Sequence, residues 1–277
     1  MYLKKTAALA LTVLVLSGTA FLSCKRREEP KDVAQGGGGF TLKPGILSVG
    51  MEIGYPPMEY YDADGKTPIG FDVELAKAVA AKMGLKVQFE DTSWDGIFAG
   101  VETGKYDCVM SSVTITEARL AAHNFSRPYV GNALAMVLLK GSPVKARSPE
   151  ECAGLGVSYQ AETTSDIFME RLANEGLQFT PYEYEKVMNC FDEMKLSRVD
   201  VIITDLLVAQ DYVAPADSPF EIVWQGPADE KFGVCLKKGN DALTAEINKA
   251  LDALFADGTM LKLSMEIFKL DMVSSVR

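Results

Sequence analysis

Gly70-Phe71-Asp72-Val73-Glu74-Leu75-Ala76-Lys77-Ala78-Val79-Ala80-Ala81-Lys82-Met83 is the stretch from which the rest of the chain can be read. Phe71, Leu75, Val79 and Met83 recur every fourth residue and lay one apolar stripe along a helix. Asp72 and Glu74 put negative charge in its first turn, where the helix dipole favours it. On this spacing alone the segment is an amphipathic helix.

Outward from it, strand-like apolar runs alternate with helical ones, the pattern of an α/β protein. Ile46–Met51 reads as the first strand, followed by a turn-rich stretch at Tyr55-Pro56-Pro57 and a hairpin turn over 62–65. Beyond the opening helix come a strand over 86–90, a helix over 94–102 and a strand over 107–110. Thr116 then caps a helix that contains Arg119, with Glu117 in its first turn. Residues 129–139 read as one long extended segment, after which a second α/β pattern begins. Its strands are predicted over 155–159, 201–204 and 233–236, and its helices over 164–174, 190–196, 206–212 and 243–255. A closing helix carries Met260, Leu263, Ile267 and Phe268.

The fourteen quoted residues also fit, position for position, the signature of the bacterial extracellular solute-binding proteins of family 3, which serve polar amino acid ABC transporters. The chain resembles that family from about Lys43 to its C-terminus. The resemblance implies a two-lobe periplasmic-binding-protein clamshell, each lobe a mostly parallel sheet flanked by helices. It also implies two hinge crossings, near 129–133 and 228–232. Lobe 1 would then comprise 40–129 plus 232–277, and lobe 2 130–231.

The N-terminus is expected to be a targeting segment. Lys4 and Lys5 precede a short apolar core over 7–16, too short for a permanent span, which needs about 20 residues. Phe21-Leu22-Ser23-Cys24 resembles a lipobox, so residues 1–24 read as a lipoprotein signal peptide with Cys24 as the lipid attachment site. Ordinary signal cleavage after Ala20, with Gly18 and Ala20 as the small residues, is the alternative. Residues 25–39 lack apolar periodicity and end in Gly36 to Gly39, the composition of a flexible tether.

Composition bounds the partners. A net charge of −10 with no basic block beyond the tether argues against nucleic acid. One histidine, His123, cannot build a His-rich metal site. Cys108, Cys152, Cys190 and Cys235 are far apart and contain no C-x-x-C pair, so they read as buried thiols rather than zinc ligands. No metal and no cofactor is called for, and the mature chain is expected to be a monomer.

A free amino acid needs a planar cation for its carboxylate, an anion for its ammonium, and a shaped pocket. Arg119 is the candidate cation, since a guanidinium grips a carboxylate through two parallel hydrogen bonds. It follows Ser111-Ser112-Val113-Thr114-Ile115-Thr116, where hydroxyls gather at a helix start. Asp205, directly after the apolar run Val201-Ile202-Ile203, is the candidate anion at the carboxyl end of a strand. A helix N-cap is its plain structural role. The resemblance assigns Arg119, Ser112, Thr114, Thr164 and Ser165 to the ligand carboxylate and Asp205 to its ammonium. Tyr55 and Trp94 match two ring positions flanking the ligand side chain, with Glu52 near its far end and Ser111 as a further polar contact. Glu162 stands where the family usually has glycine, at a tight turn before a helix.

An acid between aromatic faces leans toward arginine, lysine or histidine as ligand, with glutamine left open. The expected function is a membrane-anchored receptor at the cell envelope that hands the amino acid to an ABC permease. Two other classes share the fold: a cyclohexadienyl-type dehydratase, which would need a general acid at the reacting carbon, and a sensor lipoprotein.

Overall fold

The apolar stripe of the opening stretch packs as its spacing requires. Phe71, Leu75 and Val79 are fully buried in the helix Phe71–Lys82, and Met83, at its C-cap, is half-buried against the same core. Gly70 has φ +120°, and a Cβ there would lie 2.3 Å from the Met58 carbonyl oxygen. The close approach lets Phe71 and Asp72 donate their N–H groups to the carbonyls of Pro57 and Met58, which stitches the helix to the turn-rich loop before it. Glu74 is half-buried and pairs with Lys77. Asp72 departs from the expectation of a dipole-stabilised surface charge. It is fully buried and accepts from the Ser112 N–H at 2.7 Å and the Tyr129 hydroxyl at 2.8 Å.

The computed structural model describes residues 39–277. The signal segment, Cys24 and the tether as far as residue 38 lie outside the described residues. The chain order is β1 (Ile46–Met51), β2 (Tyr60–Tyr61), β3 (Pro68–Ile69), α1 (Phe71–Lys82), β4 (Lys86–Asp91), α2 (Trp94–Thr103), β5 (Cys108–Val109), α3 (Glu117–Ala122) and β6 (Asn124–Asn132). It continues through β7 (Leu134–Leu139), β8 (Gly156–Gln160), α4 (Thr164–Asn174), β9 (Thr180–Tyr184), α5 (Val187–Lys195), β10 (Val201–Asp205) and α6 (Leu206–Val213). The last elements are β11 (Phe220–Gln225), β12 (Glu230–Leu236), α7 (Asp241–Ala256) and α8 (Thr259–Ile267).

Two mixed five-stranded sheets result, ordered β4-β1-β5-β12-β6 and β11-β7-β10-β8-β9. In the first, β1, β4 and β5 run parallel, and β12 returns antiparallel beside β5 and β6. In the second, β8 pairs parallel with β9 and β10, and β7 lies antiparallel between β10 and β11. The chain crosses between sheets twice, so the first is built from both ends of the body and the second from its middle. Strand β6 holds its pairing with β12 out to Asn132↔Glu230. The crossings therefore fall at 132–134 and 225–230, and 130–131 and 230–231 belong to the first sheet rather than to the middle lobe.

The two strands absent from the sequence reading, β9 and β11, are the two edges of the second sheet. Each has one partner; β9 is largely solvated and carries no apolar run, whereas β11 is half-buried and its apolar run is confined to Ile222-Val223-Trp224. Helix α5 begins at Val187, three residues before the expected start at Cys190. The four cysteines are buried and unpaired. Cys108 lies opposite Leu236 and Cys235 opposite Val109, so their side chains leave opposite faces of the sheet and cannot bridge.

Candidate functional site

The carboxyl ends of β1, β5, β8 and β10 converge on one cavity of about 310 Å³ between the sheets. Its first wall carries Glu52, Tyr55, Glu59, Trp94, Ser111, Ser112, Thr114 and Arg119; its second carries Gln160, Thr163, Thr164 and Asp205. Nine of the ten cavity residues expected from sequence meet there; the tenth, Ser165, is buried in the first turn of α4 and does not line it. Glu59 was not anticipated, and Gln160 and Thr163, which precede Thr164 in the same stretch, carried no expected contact. Glu59 shares the loop of Tyr55, and its position two residues after Pro57 was the available signal.

The cradle expected for a carboxylate is shaped by buried bonds. Asp72 holds the Ser112 N–H and so fixes Ser112 at φ +50°, in the left-handed region. Residues 113–115 are laced to β12 by Gly233 N–H to the Val113 carbonyl and Ile115 N–H to the Lys231 carbonyl. Thr116 accepts from the Arg119 N–H at 3.2 Å, the expected cap. Arg119 is not a solvated surface arginine. Its guanidinium lies over the rings of Trp94 (5.4 Å) and Phe98 (5.1 Å) and donates to the Thr114 carbonyl at 3.1 Å. Among the described residues it has no ion-pair partner, and α4 begins opposite it at Thr164 with first-turn N–H groups suited to an anion.

Asp205 occupies the N-cap position of α6, yet its side chain makes no cap bond. Oδ2 instead accepts from the Tyr55 hydroxyl at 2.6 Å and Oδ1 from Asn132 Nδ2 at 2.8 Å. The carboxylate is thus turned into the cavity rather than spent on the helix. Glu162 has φ +61°, the tight turn that glycine would serve, and its carbonyl accepts from Trp94 Nε1 (3.1 Å) and Arg119 Nη2 (3.4 Å). With Gln160 Nε2 donating to Glu52 Oε2 at 2.7 Å, four contacts bridge the two walls: Tyr55–Asp205, Glu52–Gln160, Trp94–Glu162 and Arg119–Glu162.

The cavity is acidic at heart. Ser111 donates to Glu59 Oε1 at 2.6 Å and accepts from the Glu52 backbone N–H at 3.0 Å. Glu52 Oε1 and Glu59 Oε2 are buried without a partner. Burial is the main force raising Glu52 to about 7, against the opposing pull of Gln160 and Lys186. Glu59 is pushed well up by burial and by the neighbouring Asp72 charge. Asp205 is pushed up by burial and by Glu230, with Tyr55, Asn132 and Arg119 opposing. Three carboxyl groups thus face a single guanidinium. Among the described residues no cluster of three or more His, Cys, Asp or Glu is arranged to hold a metal, and no helix is long and apolar enough to cross a membrane.

A family model described as bacterial extracellular solute-binding proteins, family 3, matches residues 47–269. The L-cystine-binding protein TcyJ of Escherichia coli (strain K12) is 28% identical over 227 residues, covering 82% of this chain and 84% of that protein. The structure of an ancestral arginine-binding protein bound to arginine superposes with a TM-score of 0.77 at 36% identity, over 81% of this chain and 98% of that one. A structure described as an ancestral arginine-binding protein bound to glutamine matches with a TM-score of 0.76 at 36% identity, over 82% and 99%.

Proposed function

We propose, from the premise that the chain belongs to the bacterial extracellular solute-binding proteins of family 3, that it closes on a free cationic L-amino acid (arginine, lysine or histidine) and delivers it to an ABC permease. The observation that carries the choice of ligand is the charge of the cavity: Glu52, Glu59 and Asp205 against Arg119 as the one cation of the lining, with Lys186 acting on Glu52 from outside it and one unpaired buried oxygen on each glutamate. Buried carboxylates without counter-ions are costly. An amino acid with a positive side chain brings one negative and two positive charges, so its net +1 reduces the excess negative charge of this set from −2 to −1, and burial already favours a proton on the remaining acids.

In this reading Arg119, Ser112, Thr114 and Thr164 hold the ligand carboxylate, with Ser165 supporting from within the first turn of α4. Asp205 holds the ammonium. Tyr55 and Trp94 flank the side chain, although one side of the Trp94 ring is already occupied by Arg119. Glu52, Glu59 and Ser111 receive its far end. Contacts from both walls exist together only when the cleft is closed, so the ligand shifts the population toward closure. Tethering through Cys24 as a membrane-anchored lipoprotein and action as a monomer complete the proposal.

Melting shifts across the common L-amino acids test it, since a ligand at 100 times its dissociation constant stabilises by about 2.7 kcal/mol. Arginine, lysine or histidine should give the largest shift. If glutamine raises the melting temperature while these three do not, a neutral amide is the ligand, with Glu52 protonated beside it. Recovery of the bound amino acid chemically unchanged separates a receptor from a dehydratase.

A further inference from the structure

The acid expected to hold the ammonium is anchored on the hinge itself. Asn132 ends β6 and Glu230 opens β12, and the two are cross-strand partners. Asn132 Nδ2 donates to Asp205 Oδ1 at 2.8 Å and to Glu230 Oε2 at 2.7 Å. A reversed amide would set its oxygen against two carboxylate oxygens, so the network itself fixes this orientation. Backbone bonds close the same knot: the Leu206 N–H, one residue beyond Asp205, donates to the Ala133 carbonyl at 2.7 Å. Asn132 is 2% exposed and Asp205 6%. One side-chain amide therefore sits between a lobe acid and a hinge acid, out of reach of bulk water.

We infer that Asn132 and Glu230 are positioning residues that set the orientation and charge of Asp205 from the hinge strands, and so make ligand capture depend on protonation at the hinge. The inference rests on the reading of Asp205 as the ammonium anchor. Two acids on one amide repel each other when both are ionised. Glu230 therefore opposes ionisation of Asp205, while the Asn132 N–H and the Tyr55 hydroxyl favour it. The other charged groups facing the pair are Arg119, which favours both carboxylates, Glu59, which shares the cavity with Asp205, and Asp229 beside Glu230. Thr164 also supports ionised Glu230. An arriving ammonium adds a positive charge, favours the doubly ionised pair and expels any proton held there. Affinity therefore falls on the acid side, and the position of that fall reports Asp205.

The two neighbours should move it in opposite directions. Glu230→Gln keeps an acceptor for Asn132 and deletes the like charge, so Asp205 ionises more readily and the acid limb moves to lower pH, by about one unit. Asn132→Ala deletes the donor that favours the carboxylate, so the limb moves to higher pH. The probe is L-arginine, titrated calorimetrically from about pH 4.5 to about pH 8 into the whole body in wild-type, Glu230→Gln, Asn132→Ala and Asp205→Asn forms. L-Glutamine replaces it should the melting screen favour glutamine. Glu52 and Glu59 titrate in the same cavity, so the displacement between variants is the readout and not the wild-type midpoint. Opposite displacements support the inference, and if Asn132→Ala does not fold, the downward displacement in Glu230→Gln decides alone. Unmoved limbs, or two limbs moved the same way, overturn it while Asp205→Asn still abolishes binding. If Asp205→Asn binds normally at every pH, the ammonium assignment itself is wrong.

Discussion

Replacing Glu52 by glutamine changes charge with almost no change of shape, and the structure sets the size of the effect. Glu52 is 3% exposed; Oε2 accepts from Gln160, and Oε1 has no partner. Burial raises its carboxyl from an ordinary 4.5 to about 7. For a group whose folded-state pKa lies above its unfolded one, the stability present at low pH is lost as pH rises through the folded value. Here the unfolded chain releases the proton near 4.5 and the folded chain only near 7, so native Glu52 becomes progressively unfavourable across that window. Between about pH 5 and about pH 8 the loss is roughly 2–3 kcal/mol. The glutamine side chain does not titrate, and its amide oxygen can still accept from Gln160. Glu52→Gln should therefore flatten the pH dependence of ligand-free stability by about 2 kcal/mol, leaving the variant more stable than wild type near pH 8. It should also weaken L-arginine by about 1–3 kcal/mol and L-glutamine by less. Urea denaturation across that pH range, with calorimetry for both ligands, measures the two effects. An unchanged pH slope, or equal weakening of arginine and glutamine, refutes the reasoning.

Arg119→Ala and Asp205→Ala each strand an opposite charge of the bound zwitterion in a closed cavity, a penalty of about 3–5 kcal/mol or roughly 10²- to 10⁴-fold in dissociation constant. Calorimetry on folded variants checks this, and normal binding by either removes that residue from the site. Glu162 offers the cavity only its backbone carbonyl. Glu162→Gly should thus relieve the left-handed backbone and stabilise by up to about 1 kcal/mol, with affinity unchanged; a fall in melting temperature contradicts this. Mass spectrometry of the membrane fraction should find Cys24 as a lipid-modified N-terminus, whereas a released mature chain starting at Phe21 speaks against the anchor.

Side-chain type and local spacing were enough for much of this protein. Period-four apolar spacing marks α1, and hydroxyls before a capped helix mark the stretch that delivers Arg119. An acid just past an apolar strand marks Asp205, because each of these signals lies within a few consecutive residues. The resemblance supplied the clamshell and its double crossing, which periodicity does not encode. Tertiary structure alone decided what the buried polar groups do. Asp72 looked like a surface charge in a first turn, yet it clamps Ser112 from forty residues away. Whether Asp205 would be spent on its helix or face the cavity was left to the fold, and its carboxylate accepts from Tyr55 and Asn132 at the cavity wall. The Ser111 hydroxyl ties the Glu59 carboxyl to the Glu52 backbone, and Asn132 meets Glu230 across 98 residues of chain. A solvated strand at a sheet edge, such as β9, lacks the apolar run that announces a buried one. Apolar burial follows from a residue's own face of its helix or strand. A buried carboxyl is governed instead by whichever donor the finished fold brings within hydrogen-bond reach, and that partner is set by topology rather than by neighbours in sequence.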